Sequence, residues 1–69
     1  MIELHRLSHP GEPLYLNPDH VHYIEAKPDT VVTLASGMHV VVRESPEEVA
    51  DLIRRFRAEV IALAQTIDV

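Results

Sequence analysis

SPEEVADLIRRFRAEVIALAQTI (residues 45–67) decides the fold of this chain. Ser45 is placed to cap a helix, Pro46 suits the first helical position, and Glu48 stands three residues after the cap, completing an S-x-x-E capping box. Val49, Leu52, Ile53, Phe56, Val60, Leu63 and Ile67 then recur at three- and four-residue spacing. That spacing draws one apolar stripe along a helix, which needs a sheet to lie on. A helix over residues 46–65 is ~30 Å long, whereas strands of five or six residues span only ~17–20 Å. Its C-terminal part is therefore expected to project past the sheet. There Val60, Ile61, Ala62, Leu63 and Ala64 follow one another and cannot all face one side. A helix that is apolar all round is normally buried, so something must cover it.

The sheet is read from the residues upstream. MIELHRL (residues 1–7) alternates, with Ile2 and Leu4 on one face and Glu3 and His5 on the other, the period-2 pattern of a half-buried strand. SHPGEP (residues 8–13) breaks the chain with Pro10, Gly11 and Pro13 and returns it into LYLN as an antiparallel partner. NPDH (residues 17–20) is a second break, because Asn17 precedes a proline and Asp19 can bond nearby backbone amides. HVHYIEA is the third strand, KPDT a turn, and VVTLA and MHVVVRE a hairpin about Ser36 and Gly37.

The expected architecture is α+β: an antiparallel sheet of about five short strands followed by one long C-terminal helix packed on one face. It forms a single domain over residues 1–69, with sheet to residue 44 and helix over residues 45–67. Val32, Leu34, Val40 and Val42 are expected to face the helix, leaving Val31 and Val41 on the opposite face beside Thr33 and His39. Val31 and Val41 are thus a candidate partner face. The helix projection supplies a candidate interface between copies of the chain, formed by Val60, Ile61, Leu63, Ala64 and Ile67.

Composition favours self-association. A 69-residue chain buries only about 60% of its unfolded surface, and chains of this size usually need a staple or a partner. Having no cysteine, it has neither disulfides nor thiolate metal sites to serve as one. Six basic against eleven acidic residues give a net charge of −5, which repels phosphate backbones and makes nucleic acid an unexpected partner. No apolar run reaches the ~18 residues needed to span a bilayer, so no membrane insertion is expected and the reading is a cytoplasmic protein.

Few side chains suggest chemistry. His20 and His22 are two apart, so in a strand they share a face, and a third ligand from His5, His39 or Glu25 would make a metal site; the reading preferred is solvated histidines, with no metal and no cofactor. Glu47, Glu48 and Asp51 are explained by the partial positive charge of the first helical turn, and Asp51 can also pair with Arg55. Arg54, Arg55 and Arg57 lie on the helix side away from Phe56, where solvent is expected. Ser8 and Ser45 stand in no G-x-S-x-G setting, and two glycines build no phosphate loop, so no enzyme is expected and no catalytic residue is assigned.

The order I-E-x-x-P-D-T-x-x-x-L-x-x-G over residues 24–37, followed by V-V-x-E-S over residues 41–45, resembles the small flagellar FlbD family, also called SwrD. MIELHRL and the Leu16-Asn17 pair are also similar to that family, so the likeness covers about residues 1–56. It implies a small, non-enzymatic, cytoplasmic, motility-associated accessory protein that acts through contacts, the expected partner besides a second copy being a flagellar or other cytoplasmic protein. His20, His22, His39 and the apolar tail after Phe56 lie outside the pattern. A fainter similarity, in YIEA and in VRES before a helix, links the chain to the N-terminal part of LytTR DNA-binding domains and supplies the alternative, a nucleic-acid-binding or regulatory module.

Overall fold

A computed structural model describes residues 1–9, 11–26 and 28–67, with side chains to residue 64. Pro10 of the first break, Lys27 of the KPDT turn and the side chain of Ile67 lie outside the described residues. Five strands precede one helix: β1 (Ile2–His5), β2 (Pro13–Leu16), β3 (Val21–Ala26), β4 (Thr30–Leu34), β5 (His39–Val42) and α1 (Pro46–Ile67). The arrangement is α+β, as the sequence implies.

The strands divide into two antiparallel sheets, a β1-β2 hairpin and a β3-β4-β5 meander, where one sheet was expected. A bridge joins them. Arg6, just past β1, pairs with Val42, the Leu7 amide donates to the Val41 carbonyl (3.1 Å) and the Arg43 amide donates to the His5 carbonyl (2.7 Å). The first strand therefore pairs with β2 along its length and with β5 at its end, and its alternation is shared between two sheets.

β3 departs from regular alternation. Val21 lies opposite Leu34 and Tyr23 opposite Thr33, so His22 is an extra residue in the ladder. Such a bulge shifts the side-chain alternation by one. It lets Val21 and Ile24, three apart, both pack against the core while Tyr23 faces outward. His20 is not in the strand at all: Pro18–His20 form a 3-10 turn, in which the Asp19 amide donates to Asn17 Oδ1 (3.0 Å). The expectation that His20 and His22 share one strand face is thus overturned.

β4 and β5 pair in the register that the valine pattern demands, with Val32 opposite Val40 and Val31 opposite Val41. Their connection turns at Gly37, whose φ of 92° is strained for any residue with a Cβ. The buried core consists of Ile2, Leu4 and Leu16 from the hairpin, Val32, Val40 and Val42 from the meander, and Val49 from α1. Leu52, Ile53 and Phe56 pack around it, with Leu34 at its margin.

α1 starts where its cap predicts. The Glu48 amide donates to Ser45 Oγ (3.1 Å), and the Val49 amide donates to the Ser45 carbonyl (3.0 Å). Twenty-two residues make a helix ~33 Å long in a molecule of 46 × 24 × 20 Å. It lies closest to β1 and β3. Packing ends at Phe56, and every residue of 57–64 is exposed.

Candidate interaction surfaces

The projecting helix carries a cluster of exposed apolar residues. Val60, Ile61 and Leu63 are 50%, 58% and 62% exposed, and Ala64 is exposed beside them. Apolar residues scattered singly on a surface need no explanation, but these are consecutive on one element with no sheet beneath them. Where the helix leaves the sheet, Phe56, Arg57, Val60 and Ile61 line an open cleft of about 210 Å³ together with Asp19 of the 3-10 turn. On the other flank of Phe56, Leu52, Arg55 and Glu59 form a second cleft of about 270 Å³ against Met1, Ile2 and Glu3. Phe56 is the seam between the seated and the projecting parts of the helix.

The outer face of the meander is the second surface. Val31 and Val41 lie directly opposite each other, Val31 half-buried and Val41 40% exposed. The Leu7–Val41 hydrogen bond brings exposed Leu7 alongside, extending the row to the segment just past β1, which sequence reasoning missed because the pairing spans 34 residues of chain. Thr33 and His39, adjacent in the register, bond through Thr33 Oγ1 and His39 Nδ1 (2.9 Å), and Thr33 is buried although it points away from the helix. His22 meets Tyr23 edge to face, the ring centroids 5.2 Å apart.

The histidines do not converge. His5 is engaged elsewhere, His39 on Thr33, and among the described residues no group of three His, Asp or Glu side chains could hold a metal ion. His5 instead makes the clasp that sequence reasoning missed. Its amide donates to Glu44 Oε1 (2.9 Å) and its Nδ1 donates to Glu44 Oε2 (2.6 Å), while Nε2 lies 3.4 Å from Glu3. Partial burial works to raise the Glu44 carboxyl. Hydrogen bonds from the His5 ring, the His5 amide and its own amide outweigh that burial and hold it below the ordinary value of 4.5. The clasp ties β1 to the residue that precedes the helix cap.

The remaining charges are solvated. Arg54, Arg55 and Arg57 are exposed, and Asp51 pairs with Arg55 at 2.9 Å and Arg54 at 3.6 Å. Pairs of this kind on a helix surface are worth a few tenths of a kcal/mol. Among the described residues no helix is long and apolar enough to cross a membrane.

Comparison with known proteins gives one result. No curated protein and no solved structure matches the chain. A family model described as FlbD, Flagellar and Swarming motility proteins, matches residues 1–61. The match takes in all five strands, the His5–Glu44 clasp and the seated part of α1. It also reaches Val60 and Ile61, beyond the likeness ending near residue 56 that the motif carries, and stops before Leu63 and Ala64. With most of its length matched by that model, the chain belongs to the FlbD family of flagellar and swarming motility proteins.

Proposed function

We propose that this chain is a non-catalytic, cytoplasmic accessory protein of flagellar motility that works as a homo-oligomer and docks another protein of the motility apparatus. The observation that carries the reading is the exposed apolar helix end. Val60, Ile61, Leu63 and Ala64 cover a projection that the chain's own sheet does not reach, and Ile67 continues the same stripe in sequence. A second copy is the partner always present at the concentration of the protein itself. The Val31–Val41 row, with Leu7, is the face left for a different protein once the helix ends are paired.

Light scattering during size-exclusion chromatography tests the first half of the reading. The wild-type chain should elute at a multiple of 7.8 kDa at micromolar concentration, and Val60→Asp should return it to one protomer mass with unchanged circular dichroism. A wild-type monomer would refute self-association. In the organism that carries it, deletion should reduce swarming, and Val41→Glu should fail to restore it while keeping the wild-type mass. Restoration by Val41→Glu would remove the outer face from the docking role.

A further inference from the structure

The helix end is electrostatically incomplete as well as apolar. α1 carries Glu47 and Glu48 in its first turn, matched to the partial positive charge there, but has no basic residue in its last turn. Its final carbonyl groups, without intrahelical partners, leave about half a unit of negative charge at that end. Arg57 shows the converse. Arg54 and Arg55 both bond to Asp51, whereas Arg57 has no ion-pair partner among the described residues and lines the 210 Å³ cleft beside Phe56, Val60 and Ile61. One copy thus presents a cation without an ion-pair partner among the described residues, in a cleft lined by Phe56, Val60, Ile61 and Asp19, and at the other end of the same projection a helix terminus with no basic residue in its last turn.

Resting on the self-association proposed above, we propose that two copies cross their projecting helix ends antiparallel at about the level of residue 62, as a closed two-fold dimer. The last turn of each helix then lies in the cleft of the other, with Arg57 facing the partner's terminal carbonyls. Residue 62 is the middle of the projection, residues 57–67. Crossing there sets residue 57 opposite residue 67 and Val60 opposite Ala64 of the second copy, a large side chain against a small one. Each projection is covered along its length, and its end reaches the Phe56 seam of the other copy. A parallel pair would do the opposite: it would set Arg57 against Arg57, bring two uncompensated helix ends together and leave both clefts empty. The antiparallel crossing also closes on itself, so assembly stops at two.

The chain has no cysteine, so Glu47→Cys places one spin label per protomer at an exposed site in the first helical turn. In the antiparallel dimer the two labels stand 30 residues of helical rise apart, about 45 Å; in a parallel dimer they stand about 10 Å apart, one interhelical spacing. Arg54→Cys, 16 residues of rise from its counterpart, should give about 24 Å along the axis and fixes the crossing level. Arg57→Glu should weaken dimerisation about tenfold, since both symmetric contacts change sign, and Arg57→Lys should restore most of it. A dimer with the long distances and a weakened Arg57→Glu variant supports the arrangement. A dimer with Glu47 labels closer than about 20 Å, or an assembly larger than two, overturns it and leaves self-association standing. A dimer of unchanged affinity in Arg57→Glu removes the arginine's role, and a monomeric wild type overturns both proposals.

Discussion

The two halves of α1 are built from similar residues and do different things. Through Phe56, the apolar stripe is backed by a charged face carrying Asp51, Arg54 and Arg55, and its apolar members pack on the core with Val49 fully buried. From residue 57 on, apolar residues are denser and every described side chain is exposed. The seated half follows the ordinary relation between amphipathic pattern and burial; the projecting half breaks it. Hydrophobicity that exceeds what the chain's own sheet can cover is a statement about contacts outside the protomer.

Substitutions should separate the halves. Val49→Ala, in the core, should cost about 2 kcal/mol in urea denaturation, through lost transfer energy and the cavity left behind. If Val49→Ala cost no more than a surface change, the helix would not be seated as described. Glu44→Gln, at the clasp beneath the seated half, should cost about 1–2 kcal/mol at neutral pH.

The clasp also has a pH signature. Because the folded carboxyl of Glu44 is more acidic than in the unfolded chain, its contribution is present above the unfolded value of 4.5 and is lost as pH falls through the lower folded value. Wild-type stability should fall more steeply below pH ~4.5 than that of Glu44→Gln, and parallel curves would dissociate Glu44 from acid unfolding. Ser45→Ala should cost about 1 kcal/mol by leaving the Glu48 amide without its cap, read as a lower urea midpoint at unchanged slope. Leu63→Lys, in the projecting half, should change protomer stability by less than about 0.5 kcal/mol once compared at a concentration where both proteins are monomeric. A loss as large as that of Val49→Ala would mean the projection packs on its own protomer after all.

The local features were legible in the sequence, and the non-local ones were not. Ser45, Pro46 and Glu48 announce the helix start because a cap is a contact between residues three apart. The stripe from Val49 and the two valine strands fix which faces meet, since periodicity is also local. The projection followed from comparing two lengths. What could not be read is how β1 divides its pairing between two sheets, because Arg6 and Val42 lie 36 residues apart and either edge satisfies the alternation. The bulge at His22 was hidden by the assumption of regular period 2, although Val21 and Ile24, both apolar and three apart, were its signal. Glu44 reads as one more surface acid until His5 is placed beside it.

The bond between His5 and Glu44 has a consequence for synthesis. The two residues are 39 positions apart, so the first strand leaves the ribosome well before the groups that hold it. At roughly 5–20 residues per second that interval is about 2–8 s, during which the hairpin has neither its clasp, its bridge to Val42 nor its cover from Val49. A two-stranded hairpin alone is marginal in water. Folding of this chain is therefore a late, nearly all-or-none event that waits for its last third, and whatever shields Ile2 and Leu4 in a cell must do so before the helix exists.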